Sequence, residues 1–242
     1  MKSFIKYTMA TVVGIFLTMT LFTIISIISL AGMMATEGMS APIKEKSILR
    51  LDLSGTLAER SDSNPFAALM GEENTALSLE DALLALDKAA KNENIIGVYL
   101  EGGAMGANPG MAQELRQALV EFKESGKWVV AYGDSYGKTA YYLSSVADSV
   151  LLNPEGNVDF GGMASQIMFY KDVMEKIGVK MQVFKVGTYK SAVEPFICTE
   201  MSPANREQVT SYLFSIRTNM LKDVAASPNM EVGKLNSLAD SL

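Results

Sequence analysis

Histidine is absent from this 242-residue chain, and cysteine occurs once, at Cys198. Without histidine there is no Ser-His-Asp triad, no Cys-His nucleophile, no HExxH zinc site and no imidazole proton shuttle. One cysteine excludes an intramolecular disulfide and any multi-thiolate zinc site, and leaves the redox compartment open. Positive charge is also short. With 21 Lys+Arg against 27 Asp+Glu the formal net charge is −6, so binding to nucleic acid by counterion release is not expected. Acid-base chemistry, if there is any, must come from carboxylate, lysine or tyrosine. What the chain does have is apolar substance. Hydrophobic residues make up 48% and charged residues 20%, enough for a packed core and unlike a disordered chain.

From Tyr7 to Thr36 no residue is charged, a run of 30 positions. About 20 apolar residues cross the hydrocarbon core of a bilayer, and a signal peptide's apolar region is shorter, about 7–15 residues. A core helix would carry a polar stripe, whereas only small Ser and Thr residues interrupt this one, and their hydroxyls can bond back to the preceding turn. Lys2 and Lys6 precede the run and Glu37 follows it. By the positive-inside rule the N-terminus stays cytoplasmic and the remainder crosses. Residues 1–36 therefore read as a single uncleaved anchor in a bacterial inner membrane, 37–47 as a tether, and 48–242 as a periplasmic globular part.

The globular part alternates strand and helix signals. Residues 48–53, ILRLDL, alternate at period two, and Ser54-Gly55-Thr56 breaks the strand. Residues 61–74 read as a loop. Ser78 is placed to cap a helix with Asp81 three residues on, and Leu79, Leu83, Leu86 and Ala90 follow at helical spacing. Residues 95–100 form an apolar run without alternation, suited to a strand buried on both faces. A glycine-rich loop, 101–109, leads to a helical stripe of Leu115, Ala118, Leu119 and Phe122 that Gly126 closes. Residues 128–132 are a strand, 139–147 a helix, and 150–152 a short strand stopped by Asn153-Pro154. Ile167, Tyr170, Met174 and Ile177 mark a helix ended by Gly178, and 182–186 a further strand. Ser202-Pro203 is a helix start, with Pro at the first helical position, and Val209, Leu213, Ile216 and Met220 form its buried stripe. This alternation predicts an α/β domain around a mostly parallel sheet.

Several local patterns lack the spacing of a ligand site. Gly102, Gly103 and Gly106 do not make G-x-G-x-x-G, and no Walker lysine follows, so they read as turn glycines. Asp134, Asp148 and Asp159 lie in separate loops and read as turn carboxylates rather than metal ligands. Met33, Met34 and Met39 read as lipid or packing residues, not a copper site. Lys190 stands at a strand end and turn among small and apolar residues. Desolvation can lower a lysine toward neutrality and make it a base, but by spacing alone Lys190 reads as a surface loop lysine.

The surrounding residues say more. VFKVGTYKSAVEPF (183–196), followed by MSPANREQ (201–208), resembles the lysine-bearing segment of the signal peptide peptidase A (protease IV) family, the long form of the membrane-anchored serine peptidases of family S49. The resemblance extends to the membrane helix, ILRLDLSGTL, ALLALDKAAKNENIIGVYLEGG, and the stretch from ALVEFKESGKWVVAYGDSYGKTAYYLSS to NVDFGG. It implies a ClpP/crotonase-like fold of repeated ββα units, a periplasmic catalytic bowl built as a homo-oligomer, and a Ser/Lys dyad with Lys190 as general base. It also implies leftover signal peptides as substrates and no cofactor.

The chain departs from the family's long form, which is roughly twice as long and carries its nucleophilic serine in a second, repeated half. The equivalent position here falls at about Lys138, in Gly137-Lys138-Thr139-Ala140-Tyr141-Tyr142; Ser135 and Ser144 flank it without occupying it. Ser191, adjacent to Lys190, is a poor partner because successive side chains point apart. The loop 102–110 resembles a degenerate counterpart of the oxyanion loop. The expectation is a chain that holds the base and lacks the nucleophile, its ending SLADSL (237–242) reading as a truncation. The alternatives are a non-catalytic, membrane-anchored scaffold of the same fold and a crotonase-like acyl-CoA binder, which a periplasmic placement disfavours.

Overall fold

A computed structural model describes residues 2–37, 42–60, 77–227 and 231–239. The chain divides into two compact units, Met1–Lys44 and Glu45–Leu242. The first is helix α1, Lys2–Glu37. Its segment Ser3–Ser29 is long and apolar enough to cross a membrane, about 40 Å at 1.5 Å per residue. The hydroxyls in this apolar surface are satisfied internally. Thr8, Thr11, Thr18, Thr20 and Thr23 each donate to the carbonyl four residues back, at 2.7–3.0 Å, which is how a polar group tolerates an apolar surround. The expected tether falls partly outside the described residues, and the expected loop 61–74 does so entirely.

The second unit is built on a four-stranded parallel sheet, β1 (Ser47–Asp52), β4 (Ile95–Glu101), β6 (Trp128–Tyr136) and β7 (Ser149–Val158), in that order. A second sheet holds β3 (Leu77–Ser78), β2 (Gly55–Ala58) and β5 (Met105–Gly106), also parallel. Each ββα unit gives a strand to the large sheet, one to the small sheet, and then a helix. β4, β5 and α3 (Pro109–Glu124) form one such unit; β1, β2, β3 and α2 (Leu79–Lys91) form another. Helix α4 (Lys138–Ser144) joins β6 to β7. Ser78 caps α2 through the Asp81 amide at 3.3 Å, as its spacing predicts. The strand residues Leu51, Val98, Leu100, Val129 and Ala131 pack in one cluster with Leu86, Leu115, Leu119, Phe122 and Leu143 of the helices.

Five strand and helix expectations need correction. Ser54-Gly55-Thr56 does not simply end a strand, because Gly55 opens β2 in the second sheet. β4 is not buried on both faces: Val98 and Leu100 are fully buried, while Ile96 is exposed and Tyr99 half-buried. Asn153-Pro154 does not stop β7. The ladder skips from Gly133↔Leu152 to Ser135↔Asn157, and the Asn153 side chain accepts from the Glu155 amide and donates to Asp134. Gly156 completes this bulge, since a Cβ there would sit 2.2 Å from the Asp134 carbonyl. Residues 182–186 are irregular, with no ladder partner among the described residues, and the helix expected from Ile167 onward is only α5, Lys171–Lys176. Apolar spacing alone does not make an element when its side chains find nothing to pack on; Tyr170, Ile177, Phe184 and Val186 are exposed.

The long helix α7, Pro203–Ala226, starts at the predicted Ser202 cap. Its stripe of Val209, Leu213, Ile216 and Met220 is half-buried, and full burial comes at Leu221, Val224 and Ala225. There α7 is fastened by a buried cation. Arg116 of α3 donates to the carbonyls of Tyr142 and Asp223, both at 2.6 Å, and to the hydroxyls of Ser145 and Ser227. Its guanidinium lies 4.9 Å from the Tyr142 ring centre, and the Tyr142 hydroxyl donates to Asp223 at 2.6 Å. Burial pulls the Arg116 guanidinium below its ordinary pKa, and burial with the Asp223 contact pushes the Tyr142 hydroxyl above its own. Lysine cannot reproduce this fork, having three donors from one point. Arg116→Met, which takes a charged donor from two carbonyls and two hydroxyls and leaves the Ser145 hydroxyl and the Tyr142 carbonyl only their bond to each other, is expected to lower stability by roughly 2–4 kcal/mol. Arg116→Lys should fall between. A urea midpoint indistinguishable from wild type in Arg116→Met would contradict this role.

Candidate active site

Lys190 lies at the end of the irregular stretch and directly before a 3₁₀ turn, Ser191–Val193, that leads into the single-turn helix α6, Glu194–Ile197. Its backbone is not yet helical, with φ −97° and ψ 73°. Its side chain is exposed, and no hydrogen bond or ion pair engages it among the described residues. Both neighbours reach toward α7. The Tyr189 hydroxyl is 3.3 Å from Glu207, and Ser191 Oγ is 3.5 Å from Gln208. Ser191 is thus turned to the helix, as expected of a poor partner for Lys190. Beside the turn is a groove of about 470 Å³ lined by Ile167, Ser191, Ala192, Pro195, Val209 and Tyr212, among others.

What holds this turn is a carboxylate. Glu194 is 2% exposed, and a buried carboxylate is costly unless fully hydrogen-bonded. Three donors converge on it: the Ser202 hydroxyl at 2.6 Å, the Asn205 amide group at 2.8 Å and the Ser202 backbone N–H at 3.2 Å. Ser202 serves two masters, because its oxygen also accepts from the Asn205 N–H and so caps α7. A second restraint comes from Tyr170, whose N–H donates to the Pro195 carbonyl at 2.6 Å and whose ring stacks on Phe196. The lysine segment is exposed at Lys190 and bolted at its base.

The position expected for a nucleophile is filled by structure instead. Lys138 is the first residue of α4, and its ammonium donates to the Gly162 carbonyl, while Arg217 of α7 donates to Gly161 at 3.2 Å. Both cations fix the backbone after β7. Ser144 is fully buried and its hydroxyl has no partner among the described residues, and Ser135 is a half-buried residue of β6. The glycine-rich loop is a packing device: a Cβ on Gly102 would lie 2.4 Å from the Tyr136 ring. Burial pushes that tyrosine's hydroxyl up to about 12, and it donates to the Leu151 carbonyl. The three aspartates have local partners. Asp134 takes Asn153, Asp148 takes Lys123 at 2.7 Å and the Val129 N–H, and Asp159 faces the Gly161 N–H.

Sequence reasoning singled out Lys190 and passed over Glu194, Asn205 and Arg116. A glutamate inside the apolar run AVEPF (192–196), with a helix cap eight residues later, was the available signal.

The hydrogen bonds from Ser202, then from Asn205, hold the Glu194 carboxyl below its ordinary pKa against the opposing effect of burial, and Lys185 adds to the lowering. A carboxyl depressed on folding contributes stability above its unfolded value near 4.3, and that contribution is lost as pH falls through the folded value. As pH falls below about 4.3 the turn should therefore loosen before the sheet. Hydrogen exchange at the Cys198 and Ser202 amides should accelerate relative to β4 amides over that window. Exchange that tracks the β4 amides throughout would contradict it.

A model of peptidase family S49 matches residues 121–241, half of the chain. Protease 4 of Salmonella typhi is 35% identical over 200 residues, 79% of this chain and 32% of the relative. Protease 4 of Haemophilus influenzae is 31% identical over 203 residues, 81% of this chain and 33% of the relative. The chloroplastic serine protease SPPA of Arabidopsis thaliana is 30% identical over 183 residues, 76% of this chain and 26% of the relative. The chain thus spans about a third of the length of the curated relatives it matches, less than the half expected. The matched region takes in the sheet's last strands, the Lys190 turn and α7, and the chain belongs to peptidase family S49.

Proposed function

We propose that this chain is the base-bearing part of a membrane-anchored Ser/Lys-dyad endopeptidase that degrades leftover signal peptides. The observation that supports it most is the Lys190 turn, an exposed ammonium without partners among the described residues, on a segment otherwise fastened to α7. In the full-length enzyme the neutral amine of Lys190 takes the proton of a serine hydroxyl contributed by the part of the protein beyond this chain. That oxygen attacks the peptide carbonyl, the C–N bond breaks as the leaving amine is protonated by Lys190, and an acyl-enzyme remains. Water, deprotonated by the same amine, then releases the acyl group. Backbone amides stabilise the oxyanion in both steps. No cofactor is needed. The groove between the turn and α7 is placed to receive an extended apolar peptide.

Helix α1 keeps the enzyme at the inner membrane with its globular part periplasmic, where signal peptides are left after secretion, and identical subunits complete the catalytic bowl. A reporter active only in the periplasm, fused after Ser47, should be active; silence with an active cytoplasmic reporter would reverse the topology.

The 242-residue chain by itself should neither cleave a peptide ester nor label with a serine-directed fluorophosphonate; specific labelling of one serine would overturn that expectation. In the full-length protein, Lys190→Ala and Lys190→Arg should both lower hydrolysis of a model peptide by roughly 10²–10⁴-fold. Guanidinium cannot become neutral near pH 7. Folding should survive, because the side chain is exposed. Near-wild-type rates in either variant would mean that Lys190 is an ordinary surface lysine.

A further inference from the structure

Glu194 has none of the uses expected of a charged side chain. It is buried to 2% exposure, it belongs to a helix of four residues, and among the described residues it touches neither a cation nor the Lys190 ammonium. The hydrogen bonds of its carboxylate run to one place, the start of α7. An apolar residue of similar volume would fill the same space without the cost of burying a carboxylate, and such replacements are often neutral or stabilising. Packing alone therefore does not account for a glutamate here.

Its position in the chain does. The Glu194 N–H closes the 3₁₀ turn by donating to the Ser191 carbonyl, and the Glu194 carbonyl accepts from Cys198 at 2.8 Å. The turn that Glu194 closes begins at the residue after Lys190. Fixing the carboxylate to Ser202 and Asn205 therefore fixes the direction in which the chain leaves Lys190. Tyr170 restrains the next residue, Pro195, from the other side. The chain before Lys190 is held more lightly: residues 182–189 are almost wholly exposed, and the Tyr189 hydroxyl is 3.3 Å from Glu207. The buried tether lies on the C-terminal side of the lysine, and Glu194 is its anchor.

We propose that Glu194 is the positioning residue of the lysine base: its carboxylate, held by Ser202 and Asn205, locks the 3₁₀ turn to α7 and so sets where the Lys190 amine stands. This rests on the reading of Lys190 as general base. A carboxylate suits the site because both of its oxygens face donors, the Ser202 hydroxyl on one and the Ser202 N–H with the Asn205 amide group on the other. A glutamine either presents its NH₂ group to the two N–H donors or obliges the Ser202 hydroxyl to accept instead of donate, and in both cases the charge that strengthens these bonds is lost. Asn205 is itself 4% exposed, so its amide cannot turn to water instead.

The test uses the full-length enzyme and four variants, Glu194→Gln, Glu194→Asp, the double exchange Glu194→Gln with Asn205→Asp, and Lys190→Ala. Displacing a base by about 1 Å costs roughly 10²-fold in rate. Glu194→Gln is expected to lower kcat by 10- to 100-fold with KM within about 2-fold, since substrate contacts are kept. Glu194→Asp keeps the charge, draws the acceptor back by one methylene, and should lose kcat to a smaller extent with the melting temperature nearly unchanged. It carries the test if Glu194→Gln does not fold. The double exchange restores a hydrogen bond between residues 194 and 205 with donor and acceptor reversed, and should recover part of the lost kcat. A purely structural role predicts instead that activity falls only in proportion to the folded fraction. Wild-type kcat in folded Glu194→Gln or Glu194→Asp, or a loss confined to KM, overturns the proposal. If Lys190→Ala is inactive while the Glu194 variants are not, the positioning role fails and the base survives; if Lys190→Ala is active, the reading of the base fails first.

Discussion

A buried guanidinium organises the second unit. Arg116 reaches from α3 to the end of α4 and to the last turn of α7, and two of its four hydrogen bonds join residues more than a hundred positions apart. Hydrophobic contact presses Leu221 and Val224 of α7 into the core cluster, but apolar packing has no direction and leaves helix rotation and translation open. Four charge-assisted or hydroxyl contacts on a planar fork do not. With α7 fixed at its C-terminal end, its N-terminus is also fixed, since a helix of 24 residues is a stiff rod. At that N-terminus Ser202 and Asn205 take hold of Glu194, and four residues earlier is Lys190. The core thus reaches the candidate base through one helix and one carboxylate.

This division of labour explains why so little structure surrounds Lys190 itself. Residues 182–189 make few contacts, and Phe184 and Val186 are almost fully exposed. The same economy appears at Lys138. Where the family resemblance sets a nucleophile's position, the chain has a lysine that braces the backbone after β7.

Much of the fold was legible because its signals are local. Ser78 with Asp81 and Ser202 with Pro203 announce their helices within four residues, and the apolar runs 48–53, 95–100 and 128–132 are strands where periodicity places them. What periodicity could not see was set at long range. Asn153-Pro154 reads as a strand end, yet Asp134, nineteen residues earlier, accepts its side chain and lets the ladder resume. The runs at 167–177 and 182–186 have the right spacing, but Ile177, Phe184 and Val186 stay exposed and the first run forms only the short helix α5. The burial of Arg116 and Glu194 was invisible for the same reason, since a charged side chain reads as solvated until its partners on other elements are known. Lys190 was legible only through the family resemblance, because an exposed lysine on a turn carries no local mark of chemistry.

The central claim is that this framework delivers the Lys190 amine to a serine held elsewhere in the complete enzyme. The most direct measurement is the separation between Lys190 Nζ and the oxygen of the serine that a fluorophosphonate labels, in a crystal structure of the full-length protein before labelling. The account predicts hydrogen-bond reach, about 2.6–3.2 Å, with Glu194 still bound to Ser202 and Asn205. A Lys190 ammonium directed to solvent, with the labelled serine paired to another base, would contradict it.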